Sequence, residues 1–295
     1  MRERLIAVCQ HYVDNGLGDG NATQRLCSPD TSIYWQQLSE VLLADQLMAA
    51  GIAFAHQAVG PDFRIDHQEK RIWIEVITPT PVNVPAAWLA PAGGGVRNFP
   101  HEEILLRWTA AIKQKAEVLL GNPPNVNGYL ANGIVGVDDC YVIAVNGRLL
   151  RGFDGGLDAL IGISQFPFAV EATFAVGPLQ VQIDRETFEA SEPKHQQRYL
   201  IHKPIGQPVP ADTFLDLRFA PISAIWATDI DEFTVLDRPA KMVVVHNPST
   251  PNPLPLGFLP AHDEYVARVL DEQSYQLDRV EGRAPSPEEI SVTVG

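Results

Sequence analysis

Two carboxylates raise the first chemical question in this sequence. In GPDFRIDHQEKRIWIEVITPTP, residues 60–81, Asp62 follows a Gly-Pro turn, and Glu75 stands 13 residues later in the apolar run Arg71–Ile77. The charged turn between them predicts two neighbouring strands, one opening at Asp62 and one carrying Glu75. Like charges that close raise each other's pKa unless a cation stands beside them. Mg2+ or Mn2+ is one such cation, taking octahedral oxygen ligands from one or two carboxylates, water and substrate phosphate. A bound ion of this kind lowers the pKa of its water and offsets charge developing on a phosphorane. A lysine from elsewhere in the chain is the other.

Several elements must position these groups. Residues 1–14 predict a short helix, and DTSIYWQQLSEVLLADQLMAAG a longer one, capped by Asp30 to Ser32 and ended by Gly51. IAFAHQAV, DFRI and RIWIEVITP read as strands, the last with large apolar residues on both parities, as in an interior strand. A loop over roughly residues 79–100 is long enough to be functional, a cover that closes over a cleft. HEEILLRWTAAIKQKAEVLLG predicts a strong helix ending at Gly121, and CYVIAVNG a strand closed by an Asn-Gly turn. FAVEATFAV, LQVQID, SAIWATD and KMVVVHNP read as further strands, and HDEYVARVLDEQSYQLDRV as a last, solvated helix. That acidic helix has contact with a second copy, in a homodimer, as its sharper reading.

The order helix, strand with Pro-Asp, turn, strand with Glu, helix resembles the PD-(D/E)xK nuclease superfamily, over about residues 33–146. The resemblance implies an α/β fold, a mixed central β-sheet flanked by helices with a restriction-endonuclease-like core. It divides the chain into an N-terminal helix and loop (1–32), the core (33–180) and a β-rich C-terminal extension on the same domain (181–295). It implies Asp62, Glu75 and the backbone carbonyl of Val76 as oxygen ligands of Mg2+ or Mn2+, with Glu40, on the helix before the first strand, completing the shell. It implies an endonuclease, with DNA favoured over RNA as partner and substrate.

One departure stands out. The superfamily places a lysine two residues after the second acid, where this chain has Ile77. Some members move that lysine to a following helix. On the helix from 101, the apolar stripe runs Ile104, Trp108, Ala111, Ile112 and Leu119, and Lys115 falls in its middle at 100° per residue, whereas Lys113 faces outward. A lysine on a core-facing stripe must snorkel or meet a carboxylate. RWTAAIKQK, with Arg107, Ala111, Ile112 and Lys115, also resembles a helix of a group of uncharacterised bacterial proteins. Those share Asp62-Phe63, Trp73 to Pro79, Tyr141 to Gly147 and Val245 to Pro255.

Plainer readings stand beside these. Lys115 also suits a structural ion pair with a core carboxylate, and Glu40 an exposed helix position. Arg107 and Arg97 are the candidate phosphate-binding residues, though Arg97, beside Gly93 to Gly95, also reads as a solvated side chain. The glycine run is hinge material, because no Lys-Ser/Thr follows it as in a P-loop. The eight histidines lack zinc spacing, and no Gly-x-Ser-x-Gly elbow supports serine hydrolysis.

The net charge of −14 opposes non-specific binding to nucleic acid. Its distribution softens this: residues 62–151 hold nine Lys/Arg and nine Asp/Glu, while residues 152–295 hold 10 against 21. Cys9, Cys27 and Cys140 are odd in number and irregularly spaced, which reads as reduced thiols in a cytoplasmic protein. The opening residues are too polar for a signal peptide, and no run of 18 apolar residues predicts a membrane span. Two functions from different classes remain: a metal-dependent nuclease, and a nuclease-fold module that lost its chemistry and binds protein or nucleic acid.

Overall fold

The computed structural model describes residues 1–91, 98–122, 126–152, 160–203, 205–236, 238, 241–270 and 274–283. Within them, seven strands form one mixed sheet in simple chain order: β1 (Phe63–His67), β2 (Lys70–Ile77), β3 (Cys140–Asn146), β4 (Ala224–Asp229), β5 (Lys241–His246), β6 (Asp263–Val269) and β7 (Tyr275–Glu281). β2, β3 and β4 run parallel, and β5 lies antiparallel to β4. β1 and β7 are antiparallel edge strands. The architecture is α/β with helices on both faces of the sheet.

Both parities of β2 are buried, as its sequence requires. Ile72, Ile74 and Val76 join Val142 and Trp226 against helices α1 (Arg2–Asp14) and α3 (Thr31–Ala49), through Tyr12, Leu38 and Leu42. Trp73 and Ile77 join Tyr141 and Ile225 on the other face, against Trp108, Ile112 and Phe168. Those come from α5 (His101–Leu120) and α6 (Phe168–Phe174). The short helices α2 (Ala22–Leu26) and α4 (Ala86–Leu89) fill the connections. Asp30 caps α3, accepting from the backbone N–H groups of Ser32 and Ile33 at 2.8 and 3.2 Å. Gly51, at φ +69°, takes the left-handed turn that follows the helix.

Several elements differ from the sequence expectation. FAVEATFAV forms α6 rather than a strand. All seven of its helical residues are buried, so it has no polar face to betray a helical period, and a helix apolar all round is a core helix. HDEYVARVLDEQSYQLDRV forms the hairpin β6–β7 rather than a helix. Tyr265 and Ala267 alternate into the core, and Tyr275 and Leu277 pack against it, a period of two that the open edge of β5 rewards with parallel pairing. IAFAHQAV makes only a single bridge, Ala55 to Arg64. Asn146-Gly147 opens a 3-10 turn, with the Asn146 side chain accepting from Arg148 N–H. The C-terminal segment is β-rich as expected, and it supplies four of the seven sheet strands. Among the described residues no helix is long and apolar enough to cross a membrane.

Candidate active site

The register of β1 on β2 ends at Phe63 opposite Ile74, which carries Asp62 alongside Glu75 one residue further on. Beyond that point β2 has no strand neighbour on its β1 side among the described residues. Buried backbone N–H and C=O groups must still be paired, and side chains replace the missing strand. Asp62 Oδ2 accepts from the Val76 N–H at 2.7 Å. Gln36 Oε1 accepts from the Thr78 N–H at 2.9 Å, and Gln36 Nε2 donates to the Val76 carbonyl at 3.2 Å and to Glu40 Oε1 at 3.1 Å. Gln37 Nε2 donates to Glu40 Oε2 at 2.7 Å. Glu40 is therefore buried and held by two amides rather than exposed.

Lys115 meets this end of β2 from α5. Its Nζ donates to Glu75 Oε1 at 2.6 Å, with the two side chains 16% and 7% exposed. Lys113 goes the other way, but it is half-buried, and its Nζ donates to the Pro210 carbonyl at 2.9 Å. The other carboxylate oxygen, Glu75 Oε2, is buried without a hydrogen-bond partner. Tyr129 stands close enough to favour the Glu75 carboxylate, and its own hydroxyl is held protonated by burial and by Glu75 and Asp62.

Burial and mutual repulsion raise the pKa of each acid in this group. Burial, then the Asp62 charge, pushes Glu75 up to about 7, against the pull of Lys115. Burial, then Asp62 again, pushes Glu40 up to about 8, against the amides of Gln36 and Gln37. Asp62 is itself raised by burial, with Lys115 and the Val76 N–H opposing. Burial alone would lower Lys115, but Glu75 and Asp62 outweigh it and hold the ammonium charged. A divalent ion would relieve the same repulsion.

Whether the residues fit such an ion can be judged from their donors. Among the described residues, no three His, Cys, Asp or Glu side chains stand together as a metal-binding group, so Glu40, Asp62 and Glu75 do not form a three-carboxylate cage. The two-carboxylate arrangement does fit. Mg2+ needs only one or two carboxylates with further neutral oxygens, and Asp62, Glu75 and the Val76 carbonyl sit on consecutive or paired backbone positions. The orphaned Glu75 Oε2 is a buried acceptor that a cation or proton would satisfy.

A cleft of about 940 Å3 lies beside this centre rather than on it. Gln36 and Ile77 form part of its wall, while Asp62, Glu75 and Lys115 do not. Arg107 lines it, with Nε donating to the Thr80 carbonyl at 2.7 Å. Arg97 and Gly93 to Gly95 lie outside the described residues. The described part of the 79–100 loop is pinned rather than free: Val84 and Trp88 are buried, and Trp88 Nε1 donates to the Leu150 carbonyl at 3.0 Å. That argues against the whole segment closing as a cover.

Sequence reasoning brought Asp62, Glu75, Lys115 and Glu40 into one neighbourhood. It missed Gln36, Gln37 and Tyr129. Gln36 had a signal, since it lies one turn before Glu40 on the same helix face. No protein-family model, curated protein or solved structure matches this chain.

Proposed function

We propose that the chain is a metal-dependent nuclease that hydrolyses phosphodiester bonds, DNA being the favoured substrate. The observation that carries the reading is the Lys115 Nζ to Glu75 Oε1 contact at 2.6 Å, which brings a helix-borne cation to the strand that has Ile77 where the resemblance calls for lysine. Asp62, Glu75 and the Val76 carbonyl are the oxygens that would hold Mg2+ or Mn2+. When bound, such an ion supplies a water of lowered pKa and compensation for phosphorane charge. The chain's own groups supply the rest. Asp62, fixed by the Val76 N–H, and Glu75, fixed by Lys115, present their remaining oxygens from adjacent backbone positions. An ammonium has three hydrogens, so Lys115 keeps two beyond its bond to Glu75 for orienting the attacking water or a phosphate oxygen.

A second reading has its own support. Asp62 Oδ2, Glu75 Oε1 and the Val76 carbonyl all have protein partners already, so the same contacts also describe a closed, purely structural network in a module that binds nucleic acid or protein. One experiment separates the two: Mg2+- and Mn2+-dependent cleavage of single-stranded, duplex and circular DNA and of RNA, beside an Asp62→Ala control. Cleavage by the wild type, lost in the variant, supports the nuclease. A folded wild type that cuts none of these substrates leaves the binding module.

A further inference from the structure

The cleft beside the carboxylates is lined by cationic, amide and apolar side chains. Its only charged lining side chains, among the described residues, are Arg25 and Arg107, in a chain of net charge −14. Arg25 is already engaged, with Asp19 Oδ2 at 2.8 Å and Gln37 Oε1 at 3.3 Å. Arg107 is not: its Nε holds the Thr80 carbonyl, and it makes no ion pair among the described residues. A half-buried guanidinium without a carboxylate, anchored through one nitrogen, leaves its other nitrogens for a ligand oxygen. Guanidinium suits phosphate above other anions because it presents paired donors in one plane.

Besides Gln36, three side-chain amides, Asn21, Gln24 and Gln114, line the same cleft, each offering both donor and acceptor, and Ile33 and Pro79 add apolar surface. That is the mixture a nucleotide needs: a cation for phosphate, amides for base edges, and apolar walls for the ring faces. The volume of about 940 Å3 lies at the upper end of the ~300–1,000 Å3 that encloses one small ligand. It admits a short stretch of one strand, not a duplex. Gln36 and Ile77 close the inner end, and Gln36 bonds Glu40 and the Val76 carbonyl, so whatever fills the cleft abuts the carboxylate centre.

We propose that this cleft receives unpaired nucleotide of a nucleic-acid strand, with Arg107 on its phosphate. The proposal rests on the nuclease reading for its place beside the carboxylates, and it makes the substrate single-stranded rather than intact duplex. The shared chemistry is a nucleoside phosphate, on a strand or free, and the test distinguishes them.

The test is fluorescence anisotropy in EDTA, so that no cleavage is needed, with a short oligo-dT labelled at one end, a blunt hairpin duplex, and AMP as competitor. Oligo-dT is expected to bind at least ~10-fold tighter than the hairpin, with AMP competing only weakly. Arg107→Gln should weaken oligo-dT binding ~10-fold or more, the scale of one charge-assisted hydrogen bond. It should also cut the slope of log K against log salt by about 0.7, one single-strand phosphate contact. Arg107→Lys should recover part of both, which a purely structural role through the Thr80 carbonyl would not predict. Equal binding of hairpin and oligo-dT overturns the proposal. So does an Arg107→Gln variant that binds as wild type, or AMP binding with no oligo-dT binding. Metal-dependent duplex cleavage without oligo-dT binding would leave the nuclease intact and remove this inference alone.

Discussion

Gln36 donates its amide hydrogen to the Val76 carbonyl at 3.2 Å, the oxygen that would complete a two-carboxylate metal site. Its own oxygen accepts from the Thr78 N–H, and its nitrogen also reaches Glu40. Gln36 thus stands in for the missing edge of β1 and covers the oxygen proposed as a ligand. Gln36→Leu should lower stability by ~1–3 kcal/mol, because the Thr78 N–H and Glu40 Oε1 lose a buried partner, while Mn2+ affinity holds or rises. Urea unfolding with and without Mn2+ measures both. A loss of Mn2+ affinity larger than the loss of stability would show that Gln36 supports the ligand set rather than blocking it.

Asp62 and Glu75 should share one cation. Calorimetric titration with Mn2+ should give one site in the wild type and no measurable site in Glu75→Ala or Asp62→Ala, and EDTA should abolish cleavage. Titrations of wild type and variant that superimpose would remove the shared site.

The raised acids predict the pH dependence of the metal-free protein. Glu75 and Glu40 have folded pKa values pushed up to about 7 and about 8, above those of an unfolded glutamate. The folded state therefore holds protons more tightly, and the stability this contributes is full at low pH, below about 4.5, and is lost as pH rises through 7 and 8. Midpoint temperature should fall between about pH 5 and pH 8 in EDTA. The fall should be shallower in Glu40→Gln, which removes one titrating group while keeping an oxygen for the amides. Mn2+ affinity should move the opposite way, rising over the same range as protons leave the ligands. A metal-free midpoint that climbs from pH 5 to pH 8 would contradict the shifts.

What the sequence disclosed followed what its patterns could carry. Arg71 to Ile77 was legible as an interior strand because both its faces are apolar, and Lys115 as inward-facing because its helix has one strong stripe. α6 was hidden because complete burial erases any period. The β6–β7 hairpin was hidden because its charges, such as Glu264, read as a solvated face, whereas Glu264 is buried with His246 Nε2 at 2.7 Å from its Oε2. The bond of Gln36 to Val76 spans 40 residues and answers to where β1 begins, which no local pattern encodes.

Lys115→Ala should lower metal-dependent cleavage by ~10²-fold or more, the usual scale for one charge placed at a developing oxyanion. Lys113→Ala should leave it near wild type, since its Nζ bonds the Pro210 carbonyl, away from Glu75. Equal rates in wild type and a folded Lys115→Ala would end the role assigned to this lysine.

The sharpest check moves the charge back to the strand. Ile77 lies two residues after Glu75, so the two side chains share a face of β2, and Ile77 lines the cleft at 7% exposure. A lysine there has a short path to water through the cleft, so its ammonium need not stay dry, while its stem replaces part of the isoleucine packing. Ile77→Lys in the Lys115→Ala background should therefore fold, with a modest loss of stability. It should recover part of the cleavage that Lys115→Ala removes, because the cation returns to the face of β2 that carries Glu75. Single-turnover cleavage on one substrate, compared across wild type, Lys115→Ala and the double variant, gives the answer. A double variant that binds Mn2+ and oligo-dT as wild type does, yet cuts no faster than Lys115→Ala, would show that the position of Lys115 on α5, and not merely its charge near Glu75, is what the reaction requires.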